Sequence, residues 1–186
     1  MMLYRYVGPQ RIAEDAPTEP AGVPIRTAAD VIDWIGKNNQ RLDAERGVTA
    51  TFVVDEGGVL RIADRHSEHV RCAGRRPVLS AGEITFEVRG GSVAVASVSN
   101  QSTGYCPEPE SWPAVAAALS AAGFTPPDGF ALACVFRLCP KCGHKNLVKE
   151  GVFECGLCGA DLPAEYNCQT PITFLPQTKE SFRNSH

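Results

Sequence analysis

Four of the eight cysteines fall in two matched pairs, Cys139-Pro140-Lys141-Cys142-Gly143 and Cys155-Gly156-Leu157-Cys158-Gly159, with twelve residues between the pairs. Each pair places two thiols on one tight turn, and the glycine that follows permits a backbone conformation that aims main-chain amides at the sulfurs. Four soft thiolates in a tetrahedron suit zinc, and a shell of four protein ligands leaves no position for water or substrate. The spacing therefore predicts one structural Zn2+ in a zinc ribbon, held by Cys139, Cys142, Cys155 and Cys158. Iron in a rubredoxin-like centre is the chemical rival, and His144 is a side chain able to replace one thiolate. Lys141, His144, Lys145 and Lys149 make the hairpin locally basic, although no aromatic residue beyond Phe153 interleaves for base stacking.

A second concentration of reactive groups is Arg65-His66-Ser67-Glu68-His69-Val70-Arg71-Cys72, where acid, base, nucleophile and ligand types lie together. The His66-Ser67-Glu68 triplet followed by a Cys-x-x-Cys has the outline of a zinc deaminase. That outline fails, because Leu138 stands where the pattern wants proline and Cys139 and Cys142 already have partners. Further polar groups flank the second of two hairpins: Glu83 precedes it, and Ser99 to Pro107 follows. A hairpin brings its ends together, so Glu83 is expected near residues 99–105. His66, Glu68, His69, Glu83, Ser102 and Tyr105 are thus the candidate catalytic set, with acid-base pairing from His and Glu and orientation from the hydroxyls; the plainer reading has Ser102 and Tyr105 hydrogen-bond the turn before the second helix and Glu83 pair with an arginine. Cys72 and Cys106 read as free buried core cysteines, with a thiol pair, or a second metal site with His66 or His69, as the alternative where the polar segments converge. Cys134 alternates within an apolar strand and reads as core.

The elements that must position these groups follow from pattern. Residues 1–12 are β-friendly at Leu3, Tyr4, Tyr6 and Val7, and residues 13–24 read as a surface loop. Thr27 opens a helix, with Asp30 answering it as a capping box, an apolar face of Ala28, Val31, Ile32 and Ile35, and Gly36 as its stop. Residues 49–55 and 59–63 form one hairpin about Glu56-Gly57-Gly58, and residues 84–88 and 92–98 another about Arg89-Gly90-Gly91. Ser111 caps a second helix with Pro113 in its first turn and Gly123 at its end. Residues 131–138 read as a strand leading into the ribbon, and the tail 177–186 is polar and loose.

Pro77-Val78, Ala81-Gly82-Glu83-Ile84, the glycine-turn hairpin, Ser99-Asn100-Gln101-Ser102, Tyr105, Pro107 and the helix ending at Gly123 resemble a domain of bacterial toxin-associated proteins and plant calmodulin-binding IQ-motif proteins. The resemblance covers residues 65–123 and implies a shared fold and a bacterial conflict or defence setting. Thr103-Gly104 replaces the Gly-His of that family's turn, so a histidine role does not transfer, and no IQ-type helix is present.

The fold class expected is α+β: an antiparallel β-rich main domain with two helices over 1–136, the ribbon over 137–165, and an extension over 166–186. A net charge of -3 disfavours nucleic acid as partner, and no run approaches the length of a membrane span. Residues 1–10 lack a secretory apolar region, and the scattered cysteines fit a reduced, cytoplasmic compartment. The function expected is a protein-interaction or adaptor module with another protein as partner. An enzyme acting on a nucleotide or protein substrate through the candidate catalytic set is the alternative, and the oligomeric state stays open.

Overall fold

The computed structural model describes residues 2–38 and 47–169; the polar tail lies outside them. Its elements are α1 (Gln10–Asp15), β1 (Val23–Ile25), α2 (Ala28–Lys37), β2 (Gly47–Asp55), β3 (Leu60–Asp64), α3 (His69–Ala73), β4 (Val78–Arg89), β5 (Ser92–Val98), α4 (Trp112–Ala121), β6 (Val135–Leu138) and β7 (Lys145–Val148). Five strands form one antiparallel sheet in the order β1-β3-β2-β4-β5, and β6 and β7 form a separate hairpin. The α+β class holds.

The central strand β2 shows how the sheet divides the interior. Side chains alternate across a strand, and Ala50, Phe52 and Val54 enter one core with Val31 and Trp34 of α2 and Val115 and Leu119 of α4. Val53 enters the opposite core with Val70, Cys72, Val78 and Tyr105. Covered on both faces, β2 is apolar almost throughout. Its buried Thr51 turns its hydroxyl on the carbonyls of Arg65 (3.1 Å) and Ser67 (3.2 Å), fixing the turn before α3.

Thr27 caps α2 as the sequence predicts: its hydroxyl accepts from the Asp30 amide (3.4 Å), and the Asp30 carboxylate accepts from the Thr27 amide (2.8 Å). These bonds, with that from the Arg26 amide first among them, hold the Asp30 carboxyl below its usual range. The helix passes Gly36 and ends with Asn38, whose amide and side chain both bond the Trp34 carbonyl. Trp34 is buried while Ile32 is exposed, so the apolar face is rotated from the expected one. Ser111 stands at the N-cap of α4, as expected, but its side chain makes no cap bond. A 3-10 turn, Pro109–Ser111, leads into that helix, and the Ser111 hydroxyl bonds the buried Ser80 hydroxyl at 2.9 Å.

Other elements also depart from expectation, among them the strand expected over 131–138, which begins only at Val135. The N-terminal β-friendly run contributes one antiparallel bridge, Tyr4 to Val78. The expected loop 13–24 contains the end of α1 and the edge strand β1, and Arg75 of the α3 turn ties it down by bonding the Ala16 and Glu14 carbonyls, both at 2.6 Å. Strand β4 starts at Val78, six residues before the expected Ile84. Gly82 permits this, because a Cβ there would run into the Ser99 carbonyl where the chain leaving β5 crosses.

The ribbon hairpin joins the main sheet through buried polar side chains. Arg137 of β6 uses all five guanidinium donors: a fork on Glu108 (2.8 and 3.0 Å), two bonds to the Ala164 carbonyl (3.2 and 2.8 Å) and one to its neighbour Phe136 (2.7 Å). Asn100 brackets residue 134, donating to the Cys134 and Pro107 carbonyls and accepting from the Cys134 amide. Removing a buried partner leaves the other group uncompensated, at a cost of roughly 3–5 kcal/mol for an ion pair. Arg137→Ala is expected to lower the unfolding free energy by about that amount in urea titrations, and Arg137→Lys, which cannot make the fork, to recover only part of it.

Candidate metal centre

The two knuckles are built alike. In the first, the Cys139 amide donates to the His144 carbonyl (2.8 Å) and the Gly143 amide to the Cys139 carbonyl (2.9 Å). In the second, Cys155 donates to Ala160 (2.8 Å) and Gly159 to Cys155 (2.8 Å). Gly143 and Gly159 take the left-handed conformation, with φ of 72° and 68°, which a side chain would disfavour. Strand β6 delivers Cys139 into the first knuckle, which closes the β6–β7 hairpin, and an isolated bridge between Glu154 and Asp161 closes the second.

The result is a cluster whose four sulfurs all lie within 4.8 Å of one another, an arrangement that can hold a metal ion. Cys139 and Cys158 are 3.6 Å apart at sulfur and Cys142 and Cys155 3.7 Å, close to the edge of about 3.8 Å for a tetrahedron with a zinc–sulfur bond of about 2.3 Å. Burial opposes ionisation of Cys139 and Cys155, but the amides of Lys141 and Cys142 on the first and of Cys158 and Leu157 on the second outweigh it, with help from neighbouring thiols. Cys155 is thereby held down to about 6. Cys142 receives the His144 amide, yet desolvation and the other three thiols push it up to about 12. Four adjacent thiolates need a cation to coexist. The His144 ring is outside the cluster; that residue contributes only its backbone.

Asn146 was not anticipated as part of this centre. Buried on β7, it donates to the His144 carbonyl (2.9 Å) and to the Cys155 sulfur (3.6 Å) and accepts from the Gly156 amide (3.1 Å). It therefore touches both knuckles and a ligand. Nothing in its sequence position marks it, since only the β6–β7 register aims it inward.

The other candidate residues are dispersed more than the sequence suggests. His69, the first residue of α3, donates from Nε2 to the Gly82 carbonyl (3.0 Å), and Arg65 pairs with Glu83 at 3.3 Å. Glu83 does meet the end of its hairpin, with the Ser99 amide on its carbonyl at 2.9 Å. His66 and Glu68 are exposed. Ser102 and Tyr105 are buried: the Ser102 hydroxyl accepts from the Tyr105 amide (3.3 Å), and the Tyr105 hydroxyl donates to the Arg76 carbonyl (2.9 Å). Cys72 and Cys106 do not pair. Cys72 lies under Gly22 with its thiol, pushed up to about 12 by burial, on the Arg61 carbonyl. Cys106 lies in a separate cluster with Cys134 and Cys168. Among the described residues, the four ribbon cysteines alone form a metal-binding group of three or more.

Asn146→Ala is expected to weaken metal affinity about 10–100-fold, as loss of a ligand's outer partner does, measured by competition with a chromophoric chelator. Burial also holds the His69 pKa below its usual 6.5. The unfolded chain then takes up a proton that the folded chain refuses, so this contribution is present above about pH 6.5 and is lost as pH falls through the folded value. His69→Gln keeps a donor for Gly82. The stability difference between wild type and this variant should be flat above pH 6.5 and shift against wild type below it; a constant difference would contradict the assignment.

No protein-family model, curated protein or solved structure matches the chain, so the likeness over residues 65–123 rests on its residue pattern alone.

Proposed function

We propose that the protein is a zinc-binding protein-interaction module, in which one Zn2+ on Cys139, Cys142, Cys155 and Cys158 folds the ribbon and the ribbon's outer side chains meet another protein. The observation that carries this reading is the closed shell of four thiols, two of its edges measuring 3.6 and 3.7 Å. A catalytic zinc keeps an open position, which this donor set does not offer. Around the closed shell, Leu147, Val152 and Leu157 stand 40%, 59% and 67% exposed. Apolar groups held in water by a rigid metal-stapled turn are suited to a protein partner.

Charge favours the same class of partner over nucleic acid. The chain carries a net -3, and Lys145, one of the ribbon's five basic residues, is turned inward onto the Val7 and Thr103 carbonyls. Thiolate ligands and unpaired cysteines fit a reducing, cytoplasmic setting. No helix among the described residues is long and apolar enough to cross a membrane. The pattern over residues 65–123 supports a place in a bacterial conflict or defence system, with the module as adaptor.

Elemental analysis is expected to give one zinc per chain, lost together with ribbon structure in the Cys139→Ala, Cys142→Ala double variant. Leu157→Asp and Val152→Asp should retain zinc and thermal stability yet lose at least tenfold in affinity for a partner isolated on, and then reconstituted with, the immobilised wild-type chain. Unchanged affinity in both variants would remove the ribbon as the docking element, and zinc retained by the double variant would remove the metal assignment.

A further inference from the structure

Cys106 and Cys168, far apart in sequence, meet in one buried cluster with Cys134 and Phe136, against which Val7 and Tyr166 pack. Cys106 is fully buried and Cys168 is 5% exposed. Their side chains share that one buried cluster, which brings together two thiols separated by sixty-two positions of sequence. Each also has a carbonyl at 3.4 Å, Thr103 for Cys106 and Phe136 for Cys168.

Both backbones are pinned. The Cys106 amide donates to the Ser102 carbonyl at 2.7 Å, in a turn that holds Cys106 at φ 49°, an uncommon conformation for a side-chain-bearing residue. The residue before Cys168, Asn167, clamps strand β6 by accepting from the Leu138 amide (2.9 Å) and donating to the Leu138 carbonyl (2.6 Å). Lys145 reaches the same place with its ammonium on Thr103 (2.5 Å) and Val7 (3.1 Å), and acts on both sulfurs; Arg137 adds a second positive charge toward Cys168. The neighbouring Cys106 thiol, aided by these cations, holds the Cys168 thiol below its usual range against the effect of burial. Burial pushes the Cys134 thiol in the same cluster up. Two buried thiols brought into one cluster, one of them held below its usual range, form the arrangement of an attacking and a resolving cysteine.

We propose that Cys106 and Cys168 form a reversible disulfide, a redox modification that fastens the segment after the ribbon to the main domain. The oxidant is a hydroperoxide. The Cys168 thiolate attacks one peroxide oxygen; the S–O bond forms as the O–O bond breaks, and the leaving oxygen takes up a proton as water, or as an alcohol if the peroxide is organic. The Cys106 thiol then attacks the sulfenyl sulfur; the S–S bond forms, the S–O bond breaks, and a second oxygen leaves as water. Two thiols lose two electrons and two protons in total, and a dithiol reverses the change. The four ribbon cysteines take no part, because the metal holds them.

The test uses the full, zinc-loaded chain and hydrogen peroxide, with alkylation of remaining thiols under denaturing conditions and peptide mass spectrometry. The expected product joins the peptides of Cys106 and Cys168, is two hydrogens lighter than their sum, retains its zinc, melts at a higher temperature than the reduced chain and reverts with dithiothreitol. Cys134→Ala should form the same link, Cys168→Ala should form none, and Cys106→Ala should leave Cys168 as a sulfenic acid trapped by dimedone. Should the Cys168 variant fail to fold, the Cys134 variant decides. The proposal is overturned if Cys106 and Cys168 stay alkylatable while ribbon cysteines oxidise and zinc is released, or if Cys106 links to Cys134 instead.

Discussion

A guanidinium buried at the root of the ribbon constrains most of what surrounds it. Taking Arg137 out of water costs several kcal/mol, which is recovered only if geometry is good and each donor finds an acceptor. All five donors do, and the acceptors come from three parts of the chain: Glu108 before α4, Phe136 within β6, and Ala164 beyond the second knuckle. Arg137 therefore fixes where the ribbon begins, where it ends and how both meet the main sheet. Asn100 does the neutral counterpart of this three residues earlier, at Cys134, and Lys145 adds a third tie from the opposite strand. Moving the hairpin would strand charged and polar groups in a place water does not reach.

That polar seam in turn depends on the metal-binding turns. The ribbon's own buried cluster consists of Cys139, Cys155 and Leu162, with Val148, Phe153, Cys158 and Ala160 beside it, too little apolar surface to fold a unit of this size unaided. Metal binding supplies folding free energy in such cases. Asn146, the knuckle amides and the left-handed glycines aim the sulfurs, and β6 and β7, once paired, aim Arg137 and Lys145 at the main domain. A metal on the four thiols would join hairpin and polar seam in one chain of dependence, in which loss at the first link propagates to the last.

The features legible in the sequence are those set by neighbours along the chain. The Cys-x-x-Cys-Gly knuckles, the Thr27–Asp30 box and the two glycine-turn hairpins each need only a few consecutive residues, and each appears in the structure. What was not legible depends on partners far away. Strand β4 runs back to Val78 because Tyr4 and β2 are there to pair with it, and α3 forms in a segment that the sequence marks only by its polar groups because Val70, Cys72 and Ala73 have a core to enter. Ser111 has the residue type of a cap but bonds Ser80, thirty-one positions away. Cys106 has the right type for a thiol pair, yet its neighbour, Cys168, is supplied by a segment that no local pattern connects to it.

The same distinction explains why residues 65–107 look chemical in sequence. Chain crossing at the rim of a sheet leaves backbone amides and carbonyls without ladder partners, and a buried backbone group must find one. Here the turn-forming side chains supply them: Asn100 for Pro107 and Cys134, Ser102 for Tyr105, Tyr105 for Arg76 and His69 for Gly82. Among the described residues, every buried side-chain nitrogen and oxygen has a partner. Hydroxyl, amide and imidazole groups collect at such a rim for the same reason that they collect in an active site: they can hydrogen-bond in the absence of water. Residue type alone does not separate the two situations, and at Asn100, Ser102, Tyr105 and His69 the hydrogen-bond partner is the protein's own main chain.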